Sequence, residues 1–215
     1  MIKVAMEYAK QVFAHDFSGH DFDHTLRVWR MASYLARQEG ADPEIAQLAA
    51  LLHDVDDRKL SPDTCDNLDH ARTFLESQGA GESLIERVCI IIREVSFKGT
   101  DSVVPATLEG RCVQDADRLD AMGAIGIARA FAFGGSRGRK MYDPEQLPKL
   151  TMDAAAYAAN TDGSTVNHFY EKLLLLEGLM TTDTGRKIAR SRHQFMEQFL
   201  EEFFREWNWE IPADG

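Results

Sequence analysis

The chain has 215 residues, 44% hydrophobic and 27% charged, the make-up of an ordinary globular protein with room for one sizeable core. Its net charge of −11 excludes binding nucleic acid through the whole surface, although a local cation inside a cleft leaves room for a small phosphorylated substrate. No stretch approaches the roughly 20 apolar residues that cross a bilayer, and the first segment lacks a basic head followed by an apolar run. Cys65, Cys89 and Cys112 form no C-x-x-C pair. The expectation is a cytoplasmic protein with reduced thiols and no membrane partner.

Apolar spacing predicts helices over residues 2–14, 21–39, 42–54, 67–78, 82–94, 106–132, 144–159 and 165–206, with no convincing strand. Asp42-Pro43 suits a helix start, and Gly79-Ala80-Gly81 separates two short helices. Gly134 to Lys140 reads as a flexible basic loop, and Thr181 to Gly185 as an interruption of the last helix. The chain therefore reads as a single all-α domain, with a core over about 20–132 and a long C-terminal helical extension over about 144–210.

Charge rarely sits on the buried face of a helix unless it is paired or bound to metal. In the 21–39 helix, Val28, Met31, Ala32 and Leu35 share a face, and one turn earlier that face carries His24; Arg27 lies on it too. In the 42–54 helix, Ile45, Leu48, Ala49 and Leu52 lead to His53 at the edge of the apolar face, followed by Asp54. A buried Asp at a helix C-terminus opposes the macrodipole, a conflict that a divalent cation removes. Asp56 and Asp57 read as an exposed helix end. In the 106–132 helix, Val113, Ala116, Asp117, Asp120, Ala124, Ile127 and Phe131 share one face, so Asp117 and Asp120 interrupt an apolar stripe. Asp115 points the other way and is expected to be solvated. Two histidines and two aspartates suit one divalent ion such as Mn²⁺, Mg²⁺, Fe²⁺ or Zn²⁺. A competing His20/His24 pair has zincin spacing, but Asp21 stands where that motif needs Glu.

The order His24, His53-Asp54, Asp117 resembles the HD-domain phosphohydrolase superfamily. GHDFDHTLRVWRMA, AALLHDVDDRKL, IIREVSFKG, VQDADRLDAMGAIGIAR and HFYEKLLLLEGLMTTDTGRKIARSRHQFMEQFL are similar to its bacterial YpgQ/YedJ-type subgroup. The resemblance implies an all-α HD-domain helical bundle around one principal ion, manganese preferred, with His24, His53, Asp54 and Asp117 as ligands. It implies hydrolysis of nucleotides, with release of pyrophosphate from nucleoside or deoxynucleoside triphosphates. Asp56-Asp57 corresponds to a Glu-Asp pair of some HD hydrolases, which makes Asp57 a candidate general base or water-orienting group.

A polyphosphate needs cations, and the candidates are Arg27, Lys98, Arg137, Arg139 and Lys172, with Lys140 beside the loop arginines. Solvated charge for the loop and structural ion pairs for Arg27 and Lys172 are the plainer readings. Phe204, Trp207 and Trp209 are expected to pack the terminal helix or an oligomer contact such as a homodimer, rather than to stack a base. Two other functions compete: a nucleotide monophosphatase or phosphodiesterase using the same site, and an inactive nucleotide-binding regulatory module.

Overall fold

The computed structural model describes residues 1–14, 21–57, 63–96, 99, 102–160 and 163–209, and the described residues form helices and no strand. Lys98 and His20 lie outside the described residues. The first five helices are α1 (Ile2–Val12), α2 (Phe22–Glu39), α3 (Pro43–Leu52), α4 (Asp69–Ser77) and α5 (Glu82–Val95). Local chemistry fixes their ends. Asp21 caps α2 by accepting from the backbone N–H of His24 at 2.7 Å, and Gly40 closes it in the left-handed region at φ 78°. Asp42 caps α3 through the N–H groups of Glu44 and Ile45, with Pro43 in the first turn.

α3 is the centre of the molecule, packed between α1, α2, α5 and α6. Every residue from Leu48 to Leu52 is fully buried, which explains why this short helix is almost continuously apolar. Its C-terminal end therefore delivers His53 and Asp54 into the interior. Helix α2 lies along both α3 and α6, so it can meet that end with a side chain of its own.

The long helix expected over 106–132 is two helices, α6 (Leu108–Asp120) and α7 (Gly123–Ser136). Gly123 sits at φ 67°, a backbone conformation that L side chains disfavour, and it redirects the chain. The helix expected over 144–159 is confined to α8 (Ala154–Ala159). Before it, the chain is held to the next helix by side-chain bonds: Asn167 Nδ2 donates to the Gln146 carbonyl, and the Lys149 N–H to Glu171 Oε1.

The last helical stretch breaks earlier than Thr181. After α9 (Thr165–Glu171), Lys172 leaves helical geometry at φ −144°, and two single 3₁₀ turns lead to α10 (Asp183–Trp207). Helix α10 packs on α2, α6 and α7. Its far half carries an aromatic ladder: Tyr142 meets Phe204 and Trp207 edge-on, while Phe131 meets Phe199. Phe204 and Trp207 thus pack the terminal helix, whereas Trp209 is 80% exposed. No helix among the described residues is long and apolar enough to cross a membrane.

Candidate metal centre

Three elements converge at one point. His24 comes from the first turn of α2, His53 from the C-terminal end of α3, and Asp117 from α6. One ligand atom from each lies within 4.8 Å of the others. His24 Nε2 is 3.4 Å from Asp117 Oδ1 and 3.5 Å from Asp54 Oδ2; His53 Nε2 is 3.1 Å from Asp54 Oδ2.

The orientation of each imidazole is set from its other nitrogen. His53 Nδ1 lies 2.9 Å from the Ala50 carbonyl. A carbonyl only accepts, so Nδ1 carries the hydrogen and Nε2 presents a lone pair in the neutral ring. His24 Nδ1 lies 2.7 Å from Asp120 Oδ2. Asp120 also accepts from Arg27 Nε on Oδ1 (2.7 Å) and from Arg129 Nη1 on Oδ2 (2.8 Å). Burial favours its neutral acid, but the bonds from His24 and Arg27 and the charges of His24 and Arg129 hold the carboxyl well below the usual range. An ionised Asp120 therefore keeps the hydrogen of His24 on Nδ1 and turns Nε2 toward Asp54 and Asp117, an arrangement common behind metal-binding histidines.

The protein alone leaves this cluster incomplete. Among the described residues, buried His53 Nε2 finds no partner in hydrogen-bond geometry, only the Asp54 carboxylate oxygen at 3.1 Å. Burial opposes charge on both rings, but the neighbouring carboxylates outweigh it: His24 is raised, and His53 is raised to about 9. A divalent cation would take the place of those protons, accepting both Nε2 lone pairs and the carboxylate oxygens, and the donor set suits a hard or borderline ion. The residues present fit such an ion.

Other carboxylates have different work. Asp56 is 3% exposed, not the open helix end expected, because it accepts from the N–H groups of His70 and Ala71 at the start of α4. Asp57 is half-buried, in the turn that follows Asp54. The expectation that Asp115 is solvated is wrong. It is fully buried, and its carboxylate accepts from the N–H and hydroxyl of both Thr181 and Thr182 at 2.7–3.1 Å. Helical phasing directed it away from the metal face, but that second face meets the start of α10 rather than water.

The cations separate as well. Arg27 is bound to Asp120. Arg137 and Arg139 stack over the Phe133 ring at 5.4 and 5.8 Å, and Arg139 Nη2 donates to the Asn160 carbonyl. The loop end is fastened to α9, since the Thr165 and Val166 N–H groups donate to the Lys140 and Met141 carbonyls. That junction brings Arg139 near His168, with Lys172 one turn further along the chain. Burial and the charges of Lys172 and Arg139 push His168 down to about 3, so the ring is neutral at physiological pH. His168 was not singled out from sequence; its spacing of four from Lys172 was the available signal.

An HD domain model matches residues 21–122, the span from the cap of α2 to the break after α6. The chain is 41% identical to YpgQ of Bacillus subtilis over 196 residues, 90% of this chain and 87% of YpgQ. The chain belongs to the HD domain family. This HD domain shares the fold of an HD-superfamily hydrolase from Bacillus thuringiensis, at TM-score 0.77 and 42% identity over 96% of each chain. A crystal structure of Bacillus subtilis YpgQ in complex with ADP is also similar, at TM-score 0.75 and 36% identity over 99% of each chain. HD domains bind a divalent metal, and the cluster of His24, His53 and Asp117 lies inside the matched segment.

Proposed function

We propose that this HD domain is a metal-dependent phosphohydrolase that acts on nucleotides and releases pyrophosphate from nucleoside or deoxynucleoside triphosphates. The observation that carries the hydrolase reading is the pair of imidazole Nε2 atoms, each turned by its own Nδ1 bond toward Asp54 and Asp117. The ADP held by YpgQ supports a nucleotide as ligand.

His24, His53, Asp54 and Asp117 would hold the ion, with Mn²⁺ favoured. A divalent ion supplies a Lewis acid for a phosphoryl oxygen and makes water nucleophilic near neutral pH. The remaining chemistry falls to the chain. Asp120 holds His24 in its tautomer and in place. Asp57, in the turn after Asp54, is our candidate to take a proton from the attacking water. Arg139 and Lys172, whose charges act with burial to keep His168 neutral, are our candidates for the phosphate chain, and Arg137 and Lys98 are further candidates.

A panel of nucleotides with each divalent ion, resolving phosphate from pyrophosphate, tests the reading. Pyrophosphate release with Mn²⁺ is expected. Phosphate as the sole product points instead to a monophosphatase or diesterase, and tight nucleotide binding without turnover to a regulatory module. Asp117→Ala is expected to lose bound metal and activity while keeping its helical circular dichroism. An active, metal-loaded variant would remove Asp117 from the ligand set.

A further inference from the structure

A cavity of about 310 Å³ opens between α2, α6, α7 and α10. It shares Asp120 and its partner Arg27 with the surroundings of the metal centre. Asp120 reaches the Nδ1 side of His24, whereas the carboxylates of the metal cluster face Nε2, so the cavity lies behind the imidazole. In a chain of net charge −11, three guanidinium groups line it, from Arg27, Arg30 and Arg192. The one carboxylate in the wall, Asp120, already accepts from His24, Arg27 and Arg129.

Among the described residues, neither Arg30 nor Arg192 makes a direct ion pair with a carboxylate, although the charge of Asp120 acts on Arg192. Arg192 is nonetheless held in place. Its Nη1 donates to the Leu119 carbonyl, and its stem lies where a Cβ on Gly123 would come within 3.1 Å of Cγ. Burial lowers its pKa, and the charge of Asp120 offsets this only in part. Met31 and Ile188 supply apolar floor, and Tyr34 and Ile125 stand at the rim, 43% and 45% exposed.

We infer that this cavity is a binding site for a small organic phosphate, its anionic group held by Arg30 and Arg192 with Arg27 beside them, and its flat apolar part against Tyr34 and Ile125. Guanidinium groups suit phosphate oxygens, an aromatic rim suits a ring, and the volume is at the small end of ligand sites. The inference does not depend on the reaction proposed for the metal centre.

The test is a calorimetric titration of the metal-free protein with AMP, so that no metal holds the probe at the metal centre. One saturable site is expected. Arg30→Glu, at an exposed residue, should weaken it by about tenfold or more, and Ile125→Trp should block it by filling the rim. Lys172→Ala should leave it unchanged. The inference is overturned if AMP does not saturate, or if Lys172→Ala abolishes binding that Arg30→Glu spares. Inorganic phosphate binding as tightly as AMP overturns the organic class. A dimer in sedimentation that covers Tyr34 and Ile125, with AMP excluded, replaces the ligand with a second copy of the chain. Triphosphate turnover in Arg30→Glu should match that of the parent, so failure of this site and failure of the proposed reaction read out separately.

Discussion

At the scale of single residues, the centre depends on which nitrogen of each histidine carries a hydrogen. Asp120 decides this for His24 from outside the cluster. Asp120→Asn keeps an acceptor for Nδ1 but removes the charge, and it should weaken Mn²⁺ affinity by about 10–100-fold with helical content intact, as titration with a metal indicator can measure. An unchanged affinity would reduce Asp120 to a packing role. Residues that interrupt an apolar stripe were legible in the sequence: His24, Asp117 and Asp120 all fall on faces that the fold buries or half-buries. Asp115 was not legible, because its donors are 66 and 67 residues away and nothing local indicates them. The work of Asp56 was hidden for a similar reason, since its acceptor role is to a helix that starts later in the chain.

At the scale of elements, the helices with side-chain caps and clear apolar faces, α2 and α3, were readable almost to their ends. The breaks were not. Ala121 to Gly123 looks helical by composition, and only the backbone at Gly123 shows why the axis turns. Gly126 belongs to the same corner. A Cβ there would meet the Ala121 carbonyl oxygen at 2.2 Å, so Gly126→Ala should destabilise the fold by about 1–3 kcal/mol in urea unfolding. Gly135, in the same helix, has open space around its missing Cβ. Gly135→Ala should stabilise by about 0.5–1 kcal/mol, through helix propensity alone. Equal effects at the two positions would show that the corner at Ala121 is not tightly packed. The break at Lys172 was equally hidden, because Leu173 to Leu176 continue an apolar run that suits a helix as well as it suits 3₁₀ turns.

At the scale of the whole molecule, metal binding and folding are linked. Bound Mn²⁺ should raise stability by about 2.7 kcal/mol at a hundred times its dissociation constant. That gain should depend on pH. The folded pKa of His53 is raised to about 9. Protonation therefore stabilises the metal-free fold fully below the unfolded value of about 6.5, and this stabilisation is lost as pH rises through the folded value. The ion needs the deprotonated nitrogen and does not share that loss. The increase in melting temperature produced by a fixed free Mn²⁺ concentration should thus grow from about pH 6.5 towards pH 9 in scanning calorimetry. A gain that shrinks over this range would contradict proton displacement at His53.

The bond from Asp115 to Thr181 and Thr182 also bears on synthesis. A ribosome releases His24, His53, Asp54 and Asp117 well before it reaches the two threonines. A nascent chain can therefore hold every proposed ligand while the Asp115 carboxylate, on the same helix as Asp117, still lacks the four donors it has in the finished fold. A carboxyl group without its donors resists leaving water, so α6 is expected to seat fully only once the start of α10 arrives. Translation that stalls within the 3₁₀ turns should leave a polypeptide with every proposed ligand and no completed centre. Metal loading is therefore expected only after this segment is made, and ribosome-bound chains stalled before Thr181 should retain no Mn²⁺ under conditions that load the released chain.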